Sequence, residues 1–478
     1  MNLLSAFDAL LKSWRDVFPQ QRTFQRAYRL ALSFLVCLHD HLTSKAICTT
    51  GRQFQDWTAD YRVFSRSPWD VVRLFDAVVD GAIAFLRPDW TPVIMPLDDT
   101  ICRKTGRKIP GVSTWRDPMS PKFHTNLISG LRFVQASLIV HPAKPGPARA
   151  LPVRFQPAPL PPKPKKKASQ AELAEYKKRR KQAALSKVGV SVIADVRDAL
   201  NQRSSTAQRP LLVPVDGSYT NREVLTHLPN KTILLGRIRQ DAKLCFRVQT
   251  NPAKKGRTPR YGPAAPTPKQ ILDDDSISFV PVPAFAAGQL RDFKVKVVDN
   301  LFWRKAGPDR PLRLILIKPF GYRLRSGSKL LYRDPAFLIC TDLNLPIEFL
   351  LQAFVYRWEI ECNHRDEKSF IGVAEGHVRN PKAVVRLPQF QVAAYSLLLL
   401  ASLQAYGFDR TAVFSPLPKW RKQAKRPSIS DMLELLRAQL VGPTCSSYAQ
   451  HDSIDFVFIP TARPNCLKSD DSLAMSAA

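Results

Sequence analysis

The chain has 478 residues with 45% hydrophobic residues, enough for more than one core and for roughly two to four domains. Its 72 Lys and Arg residues exceed 40 Asp and Glu residues, which gives a formal net charge of +32. This excess indicates a polyanionic partner, DNA or RNA before an acidic membrane surface. The longest apolar run, residues 392–403, is shorter than the ~20 residues that span a bilayer. The eight cysteines form no C-x-x-C pair, which argues against a zinc site or a disulfide framework and favours a reducing cytoplasm.

The first half of the chain predicts helices and then strands. Residues 1–90 have helix-like apolar spacing, and we expect a helical N-terminal region that binds DNA. Residues 91–216 begin with an apolar strand, 91–97, that ends at Asp98-Asp99-Thr100, and end with a second one that stops at Asp216-Gly217. Two further strands are expected within 124–140.

Between these strands, the composition changes sharply. Prolines crowd residues 141–167, which end in PPKPKKK, and predict an extended linker or a disordered loop. A helix of about 30 residues should follow the linker, with a basic, solvated first half.

The second half predicts a β-rich unit followed by helices. Short alternating runs over residues 217–342 predict a β-rich insertion. Residues 343–410 should contain a helix that starts after Pro346 and runs through Phe370, and then a second apolar helix. Residues 411–478 form a C-terminal region with one amphipathic segment, 430–440, and a polar tail. The pattern as a whole predicts an α/β fold.

Three acids lie where exposed ends of core elements are expected, namely Asp98, Asp216 and Glu361. An acid at the carboxyl end of a strand faces the crevice where α/β folds bind ligands. Three converging carboxylates would repel one another unless a cation neutralised them. Mg²⁺ or Mn²⁺ suits oxygen ligands, and two such ions can activate a water or a 3′ hydroxyl and stabilise the leaving oxygen of a phosphodiester.

Each acid also has a simpler interpretation. Asp216-Gly217 is a common turn dipeptide, and Asp98-Asp99-Thr100 can begin a loop or cap a helix. Glu361 can belong to a lattice of ion pairs on a surface helix. However, Trp358 and Ile360 indicate that this helix is partly buried.

The helix that contains Glu361 presents a single stripe of charge. Residues Phe354, Arg357, Glu361, His364 or Arg365, and Lys368 follow one another at steps of three or four, which places them on one face. Such a stripe offers one metal ligand flanked by cations that can hold phosphates.

At these positions the sequence resembles bacterial insertion-sequence transposases of the D-D-E type. The motifs are LDDT (97–100), VDGSYTN (215–221) and YRWEIECNHRDEK (356–368). Arg357, Glu361 and Lys368 match the family's Tyr-x2-Arg-x3-Glu-x6-Lys spacing, whereas Phe354 occupies the tyrosine position and the nearest tyrosine is Tyr356. The family's Asp-x-Thr pattern selects Asp98 as the first acid, with Asp99 as the alternative.

The resemblance implies a ribonuclease H-like catalytic core interrupted by the β-rich insertion. It implies that Asp98, Asp216 and Glu361 are catalytic and ligate two Mg²⁺ or Mn²⁺ ions, while Arg357 and Lys368 hold DNA. The expected reaction cleaves the element's ends and transfers the freed 3′ hydroxyl into target DNA. The expected partners are double-stranded terminal repeats and target DNA, bound by a homodimer near a bacterial nucleoid.

Other basic and aromatic residues are candidate DNA contacts. Arg237, Arg239 and Lys243 lie on the first predicted strands of the insertion, and Arg365 lies beside the stripe. Residues 163–167 and 177–181 are basic and contact either the DNA backbone or only water. Trp303 stacks on an unpaired base or is an ordinary, partly buried aromatic.

Two other functions remain open at this point. A DNA-binding derivative could keep the fold without catalysis, and a ribonuclease H-like nuclease could cut without joining. The β-rich insertion and the arginine on the Glu361 helix favour the transposase.

Overall fold

The computed structural model describes residues 1–441 except 39, 88–91, 107, 119, 122, 143–145, 249–260, 305, 323–326 and 420–423. The helices are α1 (Leu3–Lys12), α2 (Gln21–Val36), α3 (Thr43–Thr49), α4 (Trp57–Ser65), α5 (Val71–Ile83), α6 (Gln170–Gln182), α7 (Leu185–Asn201), α8 (Ser204–Ala207), α9 (Arg222–Thr226), α10 (Pro268–Asp273), α11 (Ile347–Tyr356), α12 (Trp358–Ser369), α13 (Pro381–Tyr406) and α14 (Ile429–Val441).

The strands are β1 (Val93–Ile94), β2 (Leu97–Arg103), β3 (Ser113–Arg116), β4 (Leu127–Val140), β5 (Arg149–Pro157), β6 (Leu211–Val215), β7 (Thr232–Arg237), β8 (Leu244–Cys245), β9 (Val280–Ala286), β10 (Gln289–Trp303), β11 (Gly307–Ile317), β12 (Gly321–Tyr322), β13 (Leu331–Tyr332) and β14 (Ala336–Cys340). Except for the β12–β13 pair, all belong to one mixed sheet in the order β3-β4-β2-β6-β7-β14-β11-β10-β8. Strand β5 pairs with β4, β9 with β10 and β1 with β6.

The parallel part of the sheet is formed by β1, β2, β6 and β7. Strand β6 is LLVPV and every residue in it is buried, as expected of a strand covered on both faces. It pairs in parallel with β7 on one side and with β1 and β2 on the other. Leu97 is the register partner of Val215, so Asp98 and Asp216 directly follow paired residues at the same edge of the sheet.

The bounds predicted for the first strand, residues 91–97, were wrong. Strand β1 covers only Val93–Ile94, and β2 begins at Leu97 and runs through the acids to Arg103. Pro96, which has no N–H to donate, lies between the two strands. The acids continue the strand because β4 pairs with it, with Asp98 opposite Gln135 and Asp99 opposite Val134.

The proline-rich linker was also predicted wrongly in part. Arg149–Pro157 is strand β5, paired antiparallel with β4. The register shifts between Ala136 and Ser137, where Ser137 faces Pro152, and such an irregularity on an edge strand accommodates proline. The single long helix expected after the linker is two helices, α6 and α7.

The region predicted as a β-rich insertion, residues 217–342, contains strands that continue the main sheet. Strand β7 within it pairs in parallel with β6, and β14 then continues the same sheet antiparallel to β7. Strands β11, β10 and β9 extend the sheet further. The later strands are therefore an antiparallel extension of the sheet that holds the two acids.

Helix α13 is the centre of the main hydrophobic core. By length and composition it could cross a membrane, but 89% of its most apolar window is buried inside the protein, which is typical of a core helix. The N-terminal region is helical as predicted and packs on it: the Phe390 ring centre lies 5.4 Å from that of Trp14 and 5.2 Å from that of Phe64. Helix α14 confirms the amphipathic segment of the C-terminal region, and the predicted polar tail lies outside the described residues.

Phe390→Ala should lower the free energy of unfolding by about 3–5 kcal/mol because it removes a fully buried ring at the junction of N-terminal helices and α13. Chemical denaturation would measure the change. Leu173→Ala on α6 is the control, since Leu173 is 43% exposed and its loss should leave stability near wild type. Equal stability of the two variants would show that the N-terminal helices do not share the α13 core.

Candidate active site

Two carboxylates meet at the carboxyl edge of the parallel strands. Asp98 lies on β2 with its side chain 18% exposed, and Asp216 immediately follows β6. The Asp216 carboxylate accepts hydrogen bonds from the Ser218 backbone N–H at 2.8 Å and from the Ser218 hydroxyl at 3.2 Å. The turn chemistry expected of Asp-Gly is therefore present, and it fixes the Asp216 side chain beside the strand.

Asp98 and Asp99 point to opposite sides of β2, as successive residues of a strand do. Asp99 accepts hydrogen bonds from Arg132 Nε at 2.6 Å and from the Tyr219 hydroxyl at 3.3 Å. Asp98 instead faces Asp216 and Arg357. Of the two neighbouring acids, only Asp98 is directed toward the other predicted site residues.

The third acid, Glu361 on α12, is connected to this edge of the sheet by Arg357. Arg357 Nη2 donates to Glu361 Oε1 at 2.7 Å, and Arg357 Nη1 lies 3.5 Å from Asp98 Oδ2. The first contact joins two residues that are four positions apart on one helix. The second contact joins the start of α12 to β2. The guanidinium, 14% exposed, therefore links Asp98 to Glu361.

The electrostatics of Asp98 reflect this crowding. Burial, reinforced by the nearby charge of Asp216, raises the pKa of Asp98 to about 7, and Arg357 opposes the rise. A carboxyl that is both desolvated and beside a like charge favours its neutral form or a bound cation.

The chemistry of these donors fits a hard divalent cation, since all three side chains offer carboxylate oxygens. Within the described residues, no group of three or more Asp, Glu, His or Cys side chains has the arrangement of a metal site. In this arrangement the positive charge between Asp98 and Glu361 comes from Arg357.

The inner face of α12 is polar, a feature that the sequence pattern did not reveal. Asn363 donates to the Ala150 carbonyl at 3.0 Å and accepts from the Tyr395 hydroxyl at 3.2 Å. Burial, with Lys368 and Arg357 nearby, lowers the pKa of His364 to about 3, so its ring is neutral. These contacts fix the rotation of α12 and with it the direction of Glu361.

The five cations predicted to bind DNA besides Arg357 are placed differently from one another, and Lys243 is exposed. Lys368 is half-buried near Cys102, and it opposes the rise of that thiol's pKa that burial causes. Arg365 has a 66% exposed side chain and pairs with Asp366 at 2.9 Å. Arg237 is exposed at the end of β7, and its carbonyl oxygen would lie 3.7 Å from a Cβ on Gly217. Arg239 is 85% exposed and pairs with Asp241 at 2.9 Å.

A cleft of about 1640 Å³ opens beside Arg357, between the antiparallel extension, the start of α12 and the segment 424–430. Among the described residues that line it, the charged ones are mostly cations, since three acids (Asp334, Glu359 and Asp366) accompany these nine: Arg149, Arg237, Arg291, Lys318, Arg333, Arg357, Arg365, Lys425 and Arg426. A concave surface of one sign focuses its field and attracts a polyanion.

The aromatic residues near α12 correct one expectation. Trp358, expected to be buried, is 53% exposed and lines the cleft, although Ile360 is buried as expected. The tyrosine nearest the family position, Tyr356, is buried and donates to the Gly146 carbonyl at 3.1 Å, so it does not face the carboxylates. Trp303 is partly buried against the core.

Asp98 and Asp216 lie at the edge of the parallel strands where α/β folds bind ligands, and carboxylates can hold the metal ions that activate a phosphodiester. Residues 47–282 match the family model described as DDE superfamily endonuclease. This stretch, just under half of the chain, is similar to the DDE superfamily endonucleases, and such endonucleases generally use divalent metals. The match includes Asp98 and Asp216 and ends before Glu361. No curated protein is similar enough to the chain to count as a match.

Glu367→Gln should stabilise the protein at alkaline pH. Burial raises the pKa of Glu367 on α12 to about 8, so the folded state binds its proton more tightly than the unfolded state. The stability that the Glu367 carboxyl contributes in its protonated form is therefore lost as pH rises from about 4.5 through 8. The difference in free energy of unfolding between Glu367→Gln and wild type should therefore grow over that pH range. It should reach the order of 3–5 kcal/mol in favour of the variant above pH 8.

Urea denaturation at pH 5, 7 and 9 would measure this effect. Glu348→Gln is the matched control at an exposed position of α11, and it should follow the wild-type pH dependence. A constant difference between Glu367→Gln and wild type at all three pH values would contradict the assignment.

Proposed function

We propose that this protein is a DDE transposase that cleaves the ends of a transposable element and joins the freed 3′ hydroxyl to target DNA. The observation that carries the proposal is the connection of Asp98, Asp216 and Glu361 at one sheet edge. Asp98 faces Asp216 across paired parallel strands, and Arg357 joins Asp98 to Glu361. The match to the DDE superfamily endonuclease model over residues 47–282 supports the same chemistry.

The strand order supports a ribonuclease H-like core. Strands β5, β4, β2, β6 and β7 lie side by side, with β4 antiparallel to its neighbours and β2, β6 and β7 parallel. Helix α7 connects β5 to β6. In this proposal β8–β11 and β14 form the insertion that separates the second Asp from the Glu.

Asp98, Asp216 and Glu361 would hold two Mg²⁺ or Mn²⁺ ions. Such ions, when bound, activate the attacking oxygen and stabilise the leaving oxygen of the phosphodiester. The residues of the chain position the DNA. Arg357, when it no longer has to neutralise the two acids, can pair with a phosphate, and Lys368 and Arg237 can hold the backbone on either side.

The basic cleft suits DNA beyond the reacting phosphate. Arg357 belongs both to the carboxylate cluster and to the cleft lining, so a strand held at the acids can continue into the cleft. Arg365 also lines the cleft, and Arg239 lies just beyond β7. Because transposition joins two element ends, we propose that the protein acts as a homodimer on DNA, in a bacterial cytoplasm beside the nucleoid.

The first test is cleavage and joining of a labelled duplex that carries the flanking terminal repeat, with Mg²⁺, Mn²⁺ or EDTA. Metal-dependent 3′ nicking and a joined product are expected, and both should disappear in Asp216→Ala. Cleavage without joining would indicate a nuclease. Tight binding without chemistry under any metal would indicate an inactive DNA-binding derivative.

Asp98→Asn should reduce the cleavage rate by at least about a hundredfold, whereas Asp99→Asn should retain activity within about tenfold of wild type. The reason is that Asp98 faces Asp216, while Asp99 pairs with Arg132 on the other side of β2. Single-turnover cleavage of the same duplex measures both. The reverse order of effects would make Asp99 the first acid of the site.

Glu361→Gln should abolish cleavage to a similar extent and keep DNA affinity within about threefold of wild type, because it removes one negative charge and no cation. Anisotropy titration gives the affinity and single-turnover kinetics gives the rate. Undiminished cleavage would exclude Glu361 from the site.

A further inference from the structure

Helix α6 buries none of its residues. Its stabilising contacts are local. Ser169 and Glu172 form a capping box, with hydrogen bonds of 3.2 Å and 2.7 Å, and Arg179 pairs with Glu175 at 2.9 Å. An isolated helix of 13 residues is marginal in water. A helix exposed in this way gains stability when a partner covers it.

The charge of α6 identifies the partner. Residues 177–181 are KKRRK, and at about 100° per residue five consecutive positions surround the helix. Four exposed lysines at 163 and 165–167 precede the helix, and its acids are Glu172 and Glu175 near the other end. Cations in a last turn also complement the helix dipole, but that effect acts within one turn and is small. Cations on every side suit a polyanion that surrounds the helix.

The basic end of α6 is connected through α7 to β2, on the Asp99 side of that strand, which is opposite to the side that Asp98 occupies. Helix α7 follows after two residues, and a Cβ on its Gly189 would lie 2.7 Å from the Tyr219 ring and 3.3 Å from Leu97. Tyr219 donates to Asp99, and Leu97 precedes Asp98. Eight residues separate Lys181 from Gly189, a span of about 12 Å as helix and at most about 27 Å when extended.

We propose that residues 163–181, here called the basic arm, hold duplex DNA within about one helical turn of the phosphodiester that is cleaved. One turn of B-DNA is about 34–36 Å, longer than the span from Lys181 to Gly189. The major groove, about 12 Å wide, admits an α-helix, and cations around α6 can then pair with phosphates of both strands. The cleavage position in this proposal rests on the proposed function, whereas DNA binding by the arm does not.

The arm should contribute affinity without sequence preference. Lys and Arg side chains that pair with phosphates fix the position of a protein on DNA and do not read bases. Each phosphate contact that is lost lowers the slope of log affinity against log salt by about 0.9.

The test compares two five-residue variants of the full chain. In the neutral variant, Lys177, Lys178, Arg179, Arg180 and Lys181 are all changed to Gln. In the charge-matched control, each Lys becomes Arg and each Arg becomes Lys. Anisotropy titrations of a 40-base-pair duplex over a range of NaCl concentrations give the salt slope, with Glu361→Gln as background so that no DNA is cut.

The neutral variant should lose at least about two units of slope, the signature of two or more phosphate contacts, and at least about tenfold in affinity at 0.1 M salt. The control should match the unaltered arm, and both should melt at the parental temperature because α6 buries no side chain. A slope unchanged in the neutral variant would overturn the proposal and show that the arm is only solvated.

Phosphate ethylation interference then locates the contact. Interference that disappears in the neutral variant should lie within about 10 base pairs of the cleavage position, and contacts only farther away would contradict the placement. If the protein with Glu361 intact binds DNA but never cuts it, the proposed function fails, while the salt slope still decides whether the basic arm binds DNA. If that protein cuts DNA and the salt slope of the neutral variant is unchanged, only the proposal about the basic arm fails.

Discussion

Asp98 and Asp216 lie near each other in a partly buried position, and the other residues of the site offset the electrostatic repulsion between them. The parallel pairing of Leu97 with Val215 forces Asp98 and Asp216 together. Burial and this proximity raise the pKa of Asp98 to about 7. The repulsion needs a positive charge, and Arg357 supplies it from α12. A divalent cation would satisfy the same need with the added ability to polarise a phosphodiester.

The direction of Arg357 and Glu361 depends on how α12 is seated. Its buried face carries Asn363, His364 and Glu367 instead of a purely apolar stripe. Asn363 has partners on β5 and α13, and a buried polar group is costly unless paired. The outer face is held by Arg426, which pairs with Glu359 at 2.6 Å. Hydrogen bonds and ion pairs restrict rotation more than apolar contacts do, which suits a helix that must aim one carboxylate.

The sheet continues from the carboxylates into the wall of the cleft. Strand β7 ends at Arg237 near the Asp216 turn, and β14, β11, β10 and β9 extend the same hydrogen-bonded surface. The cations of the extension are therefore carried on the same sheet as Asp98. Arg357, at the junction of α11 and α12, contacts the acids and also lines the cleft beside this sheet.

Local patterns in the sequence were enough to find the elements of the site. Apolar runs that meet Asp98 and Asp216 indicate strands, and Arg357 and Glu361 at a four-residue step on a helix after Pro346 indicate one face. Both features are present in the structure. The net charge of +32 indicates a polyanion, because charge accumulates whatever the fold.

The tertiary structure decided the features that depend on contacts between distant parts of the chain, which local sequence patterns do not report. Asp98 rather than Asp99 faces Asp216 because pairing with β4 sets which side of β2 each residue occupies. The proline-rich stretch around Pro152 is a strand because β4 offers it an edge and an irregular register. Trp358 is exposed because the cleft opens at the start of α12. Each outcome depends on contacts between residues far apart in the chain, whereas periodicity and spacing report only on neighbours.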